Sequence, residues 1–231
     1  IGAMTGKYPH EKPLNKILIY KPKEDKWVWG DTIPESRRRG SAGVVVKNNS
    51  AYIISGITDG HWSGHVSWVD KYNFKTGQWT ILSDAPRARD HFQAAVYKGQ
   101  IYCASGRNSS AKTNETFKLT IPEIDVYDIK RDKWITMPEA SNIPTQRAGA
   151  STVIYKGNLI VIGGESFKQK LAHNDIEIME LETANWVSGA KLNRGRHGTQ
   201  AILYKNSIYT VAGSGNRGGR PELASLEQFS K

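Results

Sequence analysis

The chain contains a single cysteine, Cys103, so no internal disulfide can form and a disulfide-stabilised scaffold is excluded. No apolar run approaches the ~20 residues that a membrane-spanning helix requires, and no window shows a helical period. The N-terminal segment lacks the basic-then-apolar pattern of a secretory signal. With 231 residues, the chain is long enough to bury a core that needs no covalent cross-link.

Positive charge is in excess, with a formal net charge of +10 at pH 7 and a pI near 9.6. This balance favours acidic partners such as nucleic acids, anionic glycans or anionic surfaces. No nucleic-acid-binding motif accompanies the charge, which counts against a nucleic-acid partner. Seven Trp, ten Tyr and 22 Gly are typical of a turn-rich, aromatic-rich β protein.

Three columns of residues recur in one register, which indicates an internal repeat. The first is aromatic, with tryptophans 52, 55 and 52 residues apart and a large side chain seven residues before each: Tyr20 and Trp27, Tyr72 and Trp79, Tyr127 and Trp134, Met179 and Trp186. The second is a small pair: Gly2-Ala3, Ser55-Gly56, Ser105-Gly106, Gly163-Gly164 and Ala212-Gly213. The third column is arginine: Arg39, Arg89, Arg147 and Arg196.

Each repeat contains four short runs rich in Val, Ile, Tyr and Trp and bounded by Gly and Asn, which predicts four strands. Residues that flank a hairpin turn can face each other across its two strands. Aromatic pairs there can fill the gap between adjacent sheets. Because one four-stranded unit cannot bury both of its faces alone, the repeat predicts radial stacking in a β-propeller.

These motifs resemble kelch repeats over essentially the whole chain. The best copy has the sequence VIGG at 161–164, and another has VYD at 126–128 followed by Trp134. The resemblance implies an all-β, kelch-type β-propeller of four-stranded antiparallel blades, most similar to secreted bacterial kelch-repeat proteins with a galactose-oxidase-like propeller. Two departures are Ser or Ala at the first small position of most copies and Met179 in place of tyrosine.

The chain is predicted to be one propeller domain, 1–231, with three full and two partial blades. The full blades are expected at 35–85, 86–143 and 144–192, and the partial blades at 1–34 and 193–231. Because the terminal copies are incomplete, we expect a missing blade in a six-bladed ring, or further domains. The family resemblance suggests that strands from the two termini share the closing blade.

Long loops and short turns are expected on opposite faces of the propeller. The long loops are 5–13, 58–65, 107–116, 165–174 and 214–222, whereas the short turns are rich in lysine. The connections between blades are expected on the same face as the long loops, and all six histidines and eleven of the twelve arginines fall in these loops or connections. Since loops held on a rigid scaffold commonly carry binding residues, this face is the predicted binding surface.

The arginine column precedes the innermost strands, so we expect its side chains near the mouth of the central channel. There the guanidinium groups could bind carboxylate, phosphate or sulfate, while structural pairing with acidic residues between blades is the alternative. Two imidazoles in the loop 58–65 could ligate a metal, but a loop gives them no fixed spacing. The predicted ligand-binding residues are Arg39, Arg89, Arg147, Arg196, His91, His197, His61, Trp62, His65, Arg107 and Arg217; no catalytic or metal-binding residue is predicted.

The leading hypothesis is a non-catalytic binding module whose Arg- and His-rich face takes a polar or acidic ligand, with carbohydrate as first choice. A protein–protein interaction scaffold is the first alternative. The second is a sugar-acid-processing enzyme, an epimerase or lyase, in which His91, His197 or Tyr8 would move a proton. The expected partner is therefore a glycan or a protein, without a cofactor. An extracellular or cell-surface location is expected, with a periplasmic or cytoplasmic one as alternatives.

Overall fold

The computed structural model describes residues 1–230 and consists almost entirely of β-strands. An N-terminal hairpin, β1 (Met4–Thr5) and β2 (Lys12–Pro13), precedes a two-stranded blade I, which is formed by β3 (Lys16–Lys21) and β4 (Lys26–Thr32). Blade II contains β5 (Gly43–Lys47), β6 (Ser50–Ile54), β9 (Val69–Asn73) and β10 (Trp79–Leu82), and its loop carries a small hairpin of β7 (Ile57–Asp59) and β8 (Ser63–His65).

The next three sheets repeat this arrangement. Blade III is β11 (Ala94–Tyr97), β12 (Gln100–Cys103), β13 (Asp125–Asp128) and β14 (Lys133–Thr136). Blade IV is β15 (Ser151–Tyr155), β16 (Asn158–Ile162), β17 (Ile176–Glu180) and β18 (Trp186–Ser188). Blade V has three strands, β19 (Ala201–Tyr204), β20 (Ser207–Val211) and β21 (Leu226–Ser230). The remaining regular elements among the described residues are two 3₁₀ turns, Glu35–Arg37 and Glu139–Ser141.

The predicted kelch-type propeller of antiparallel blades is confirmed. Blades II, III and IV have four strands each, whereas within residues 1–230 blade I has two strands and blade V has three. Their innermost strands β5, β11, β15 and β19 are successive neighbours around the axis. The six-bladed ring stays a prediction. Within the same residues, no helical segment has the length and apolar character needed to cross a membrane.

The aromatic column holds strands three and four of each blade in register. Tyr127 lies directly opposite Trp134, and their ring centroids are 5.0 Å apart. Tyr72 and Trp79 repeat this contact at 4.8 Å. Met179 takes the aromatic position in blade IV without a change of register. The cross-strand pairing that the seven-residue spacing predicts is therefore confirmed.

The apolar core lies between blades, as radial stacking requires. One cluster joins blades II and III through residues such as Ile54 and Tyr127, and a second joins blades III and IV through residues such as Ile124 and Met179. The outer tryptophans close these interfaces: the Nε1 of Trp134 donates to the Ser83 carbonyl at 2.9 Å. In blade IV, Trp186 Nε1 donates to the Ser141 carbonyl at 2.9 Å.

The small pairs allow adjacent blades to approach closely. The N–H groups of Gly56, Gly106 and Gly164 donate across the blade boundary to the carbonyls of Arg89, Arg147 and Arg196 at 2.8, 3.1 and 2.8 Å. Gly164 has a φ of +113°, and a Cβ at this position would lie 3.0 Å from the Ala148 carbonyl oxygen. Glycine is therefore required there by both conformation and space.

A belt of backbone hydrogen bonds links blades II to V along the channel, two residues after each column arginine. The N–H of His91 donates to Ser41 at 2.9 Å, that of Gly149 donates to His91 at 2.6 Å, and that of Gly198 donates to Gly149 at 3.0 Å. Each of these residues has a positive φ, between 52° and 68°. The belt fixes where the side chains of Ser41 and His91 enter the channel.

One side chain bridges three blades across the channel. Gln93, on the loop preceding β11, donates to the Ala201 carbonyl at 3.0 Å through Nε2. Its Oε1 accepts the N–H groups of Thr152 and Ala201 at 3.1 and 3.0 Å. Inner strands of blades IV and V are thus tied to blade III by one amide.

Candidate functional site

The column arginines lie inside the blades. Their relative exposures are 5%, 1%, 0% and 2% for Arg39, Arg89, Arg147 and Arg196. Each forms an ion pair with one acidic residue of its own blade: Asp70, Asp125, Glu177 and Glu227, respectively. These side chains therefore do not line the channel mouth, contrary to the expectation from the sequence. A buried guanidinium group is stable only where carboxylates and carbonyls accept hydrogen bonds from its N–H groups.

Arg147 shows how the guanidinium N–H groups of the column arginines are satisfied. It donates to the carbonyls of Gly163 and Thr145 at 2.6 Å each, to Val161 at 3.2 Å and to Glu177 at 2.5 Å. The guanidinium therefore bridges strands within a blade, close to the small pair. This geometry supports the structural alternative for the column, although the pairing lies within blades rather than between them.

The sequence carries a signal for this pairing. Acidic residues form a fourth column two positions before the large side chain of strand three, in register with the arginines: Asp70, Asp125, Glu177 and Glu227. The arginine column alone cannot show which way its side chains point. A matching acidic column on strand three indicates that they turn back into the sheet.

His91 and Ser41 line a cavity of about 690 Å³ at the channel, together with Phe92, Gln93, Gly149 and Gly198. The His91 Nδ1 lies 2.5 Å from a carboxylate oxygen of Asp90, and its Nε2 lies 3.5 Å from the Ser41 hydroxyl. Burial lowers the pKa of His91, and the positive charge of Arg107 acts in the same direction. A neutral imidazole here can accept a hydrogen bond or a proton from a group in the cavity.

Asp90 fixes the orientation of the His91 ring through the hydrogen bond to Nδ1. Its side chain is buried, and it accepts the backbone N–H and the hydroxyl of Ser109 at 2.8 and 2.6 Å. Burial alone would raise its pKa, but hydrogen bonds from His91 and Ser109 and the positive charge of Arg107 lower the pKa to about 2. Asp90 therefore stays ionised and holds the imidazole with Nδ1 as the donor.

A second cluster of rings surrounds His61. Its Nδ1 lies 2.9 Å from Glu11, and its ring centroid is 4.7 Å from that of His91 and 5.3 Å from that of Tyr8. Trp62 is half-buried against His10, with centroids 4.8 Å apart. The structure thus brings His61 and His91 together, while Trp62 packs against a neighbouring loop.

The two histidines of the loop 58–65 have different partners. His65 Nε2 lies 2.6 Å from the Ser109 carbonyl, whereas His61 faces Glu11. Within residues 1–230, no group of three His, Cys, Asp or Glu side chains is arranged to hold a metal ion.

Arg107 and Arg217 converge on one aromatic ring. Their guanidinium carbons lie 5.1 and 5.4 Å from the centroid of Phe117. Arg107 is buried and forms an ion pair with Glu165 at 2.6 Å. Burial would raise the pKa of Glu165, but the charge of Arg107 lowers it, so the pair stays ionised.

His197 belongs to the same region but has little freedom to bind a ligand. Its side chain is buried, and its Nε2 lies 2.8 and 2.6 Å from the carbonyls of Asn216 and Gly218. Gly218 in turn donates its N–H to Glu165 at 2.8 Å. The glycine-rich loop is therefore held by His197 and Glu165 in a fixed conformation.

Backbone hydrogen bonds join the long loops into one surface. This long-loop face is formed by the segments 1–15, 55–68, 104–124, 163–175 and 212–225. His61 N–H donates to the Pro9 carbonyl at 2.8 Å, and Ala111 N–H donates to the His61 carbonyl at 2.9 Å. Phe167 N–H donates to Phe117 at 3.1 Å, and Arg217 N–H donates to Lys170 at 2.7 Å. Each segment is thus bonded to the next one along the chain, so the face is continuous.

The exposed aromatic residues of this face were not predicted from the sequence. Phe167 is 56% exposed and Leu171 is 55% exposed, and Phe117 packs between two arginines. A phenylalanine in each of two successive polar loops is the one signal that could have revealed them. Their proximity depends on blade geometry, because about fifty residues separate them along the chain.

The repeated sheets, the inter-blade tryptophans and the buried Arg–acid column together define a kelch-type β-propeller. A family model described as the KLHDC2/KLHL20/DRC7 Kelch-repeats domain matches residues 2–213. The chain belongs to this family of kelch-repeat domains.

Similar proteins come from fungi and animals. The chain is 26% identical over 204 residues to Kelch-like protein terF of Aspergillus terreus, across 86% of this chain and 43% of that protein. It is 31% identical over 183 residues to Kelch-like protein 40 of Xenopus laevis, across 76% of this chain and 27% of that protein. The chain therefore spans less than half the length of both relatives.

The solved structure of YjhT shares the fold, with a TM-score of 0.78 at 15% identity over 99% of this chain and 77% of that one. The finer resemblance to secreted bacterial, galactose-oxidase-like proteins is not shown by these matches and stays a prediction.

Proposed function

We propose that this domain is a protein-interaction scaffold that binds a polypeptide on its long-loop face. The observation that carries the proposal is the set of backbone hydrogen bonds between loops of different blades, at 2.7–3.1 Å. Loops fixed in this way lose little conformational entropy on binding, which favours a large, preorganised contact surface. The kelch-like names of the relatives are consistent with this class of function.

The composition of the face supports a polypeptide ligand. The five predicted loops hold eight basic and five acidic residues, and the face also exposes Tyr8, Phe167 and Leu171. Protein interfaces are enriched in aromatic residues and arginine, which supply most of their binding energy. Carbohydrate binding, the first choice from the sequence, receives no support from the relatives.

The proposal is tested by selecting phage-displayed random dodecapeptides on the domain and mapping the bound peptides by hydrogen–deuterium exchange. Enriched peptides are expected to protect amides in 1–15, 55–68, 104–124, 163–175 or 212–225. Protection limited to the short-turn face, or no enrichment at all, would contradict the proposal. An array of acidic glycans is probed in parallel, and glycan capture without any peptide enrichment would restore the carbohydrate hypothesis.

A control variant separates the two faces. Lys75→Glu changes an exposed charge in the turn between β9 and β10, on the face opposite the long loops. Lys112→Glu makes the same change at an exposed position of the long-loop face. We expect Lys112→Glu to change the set of enriched peptides and Lys75→Glu to leave it unaltered.

A further inference from the structure

We propose that the energetic centre of the long-loop face is a platform formed by Phe117, Phe167 and Arg217, and that it takes an acidic peptide segment with an aromatic or large aliphatic anchor. This inference rests on the proposed function and names the chemistry of the partner.

The platform is built where loops of blades III, IV and V meet. The guanidinium carbon of Arg217 lies 5.4 Å from the ring centroids of both Phe117 and Phe167. Its Nη1 donates to the Phe167 carbonyl at 2.8 Å. The Lys118 ammonium lies 5.2 Å from the Phe167 ring on the same loops. Cations and aromatic rings therefore alternate across the loop boundaries.

A buried ion pair lies next to the platform and contacts the Phe117 ring. Arg107, which is 1% exposed, has its guanidinium carbon 5.1 Å from the centroid of the Phe117 ring and pairs with Glu165. Glu165 also accepts the N–H of Gly218, next to Arg217. Because this ion pair and these hydrogen bonds hold the loops in place, the exposed side of Phe167 can bind a partner without rearrangement of the loops.

The rim of the platform is basic and unpaired. Within residues 1–230, the ion pairs of this region connect Arg107 with Glu165 and Asp90, and His197 with Glu165. Four exposed cations on the same loops form no ion pair with any described residue: Lys118, Lys168, Lys170 and Arg220. Charge complementarity therefore favours a partner segment rich in Asp and Glu.

Apolar surface supplies the anchor position. Phe167 and Leu171 are 56% and 55% exposed, and Leu119, which follows Phe117 by two residues, is 39% exposed. Exposed apolar residues rimmed by charge mark interaction sites more often than isolated ones do. An aromatic or large aliphatic side chain of the partner can cover Phe167 while flanking carboxylates contact the lysines.

The test uses three fluorescein-labelled dodecapeptides measured by fluorescence anisotropy. The first contains Asp and Glu with two central Phe residues, the second has Ser in place of Phe, and the third has Lys in place of the acidic residues. We expect the first peptide to bind at least ~10-fold more tightly than the other two. Equal binding of the first and third peptides, or no binding of the first, would overturn the inference.

Matched variants assign the contact to the platform. Phe167→Ala is expected to weaken the first peptide at least ~10-fold, as truncation of a central interface aromatic does. Phe74→Ala removes a phenylalanine of similar exposure, 48%, from the short-turn face, and it is expected to leave binding within ~2-fold. Equal effects of the two variants would also overturn the inference.

Failure of this inference can be told apart from failure of the proposed function. If library-selected peptides protect other segments of the long-loop face and bind Phe167→Ala normally, the platform is rejected and the scaffold function is retained. If no peptide protects any part of that face, both are rejected.

Discussion

Replacement of Arg147 by methionine is expected to destabilise the domain strongly, because it leaves a buried acid without its partner. Arg147 is 0% exposed, and Glu177 is 8% exposed. Removing one member of a buried ion pair costs about 3–5 kcal/mol. Three carbonyls of blade IV and its preceding loop also lose a donor.

The exposed pair of Arg131 and Asp128 provides the control. Its N–O distance is 2.6 Å, close to that of the buried pair, but the Arg131 side chain is 75% exposed. An exposed pair contributes about 0.2–1 kcal/mol. Arg131→Met should therefore have little effect, although the two bonds have similar lengths.

Urea and thermal unfolding of both variants measure the difference. For a domain of this size, a loss of 3–5 kcal/mol corresponds to a decrease in Tm of about 6–20 °C. The second substitution Glu177→Gln should recover part of the loss, because it removes the unpaired charge. Equal destabilisation by Arg147→Met and Arg131→Met would refute the structural role of the arginine column. Fluorescence and circular dichroism must give coincident transitions for the free energies to be compared.

Three further outcomes are expected. In urea unfolding, Trp134→Phe should lower the free energy of unfolding by about 0.5–1.5 kcal/mol more than Trp79→Phe does. The reason is that Trp134 donates a hydrogen bond to the Ser83 carbonyl, whereas the buried Nε1 of Trp79 has no partner among the described residues. Equal losses would contradict the inter-blade role of the Trp134 bond. Folding lowers the pKa of Asp90 to about 2. Ionised Asp90 therefore stabilises the folded state fully above its unfolded pKa of about 4, and this contribution is lost as the pH falls towards 2. Asp90→Asn should flatten the acid limb of the curve of unfolding free energy against pH, and an unchanged limb would contradict the lowered pKa of Asp90. Burial raises the pKa of the Cys103 thiol to about 12, so a thiol reagent at pH 8 should modify this cysteine only when the domain is unfolded in urea. Rapid labelling of the native chain would show that Cys103 is accessible and contradict its burial.

Periodic positions in the sequence were sufficient to predict the blades. Tyr127 and Trp134 recur in register because every blade must close the same hairpin and fill the same gap. The direction of the arginine side chains was missed, since it depends on an acid that lies about thirty residues further along the chain. For Arg39 that acid is Asp70, and its pairing is set by the sheet rather than by local sequence.

The candidate site was predictable only in outline. The long loops could be placed on one face from the order of strands, and this led to His91, Arg107 and Arg217. The contact between Phe117 and Phe167 could not be predicted, because it joins loops of different blades and depends on the angle between sheets. Local patterns identify what each loop carries, whereas the stacking of blades determines which loops meet.

The bridge made by Gln93 also bears on aggregation. An inner strand whose amide groups face an open channel is an edge to which a foreign strand can attach. The Gln93 carboxamide, which resembles a peptide unit, already occupies such groups at Thr152 and Ala201. A leucine in its place would leave those edges available for intermolecular sheet growth, so this one side chain helps to protect the propeller from association through its inner strands.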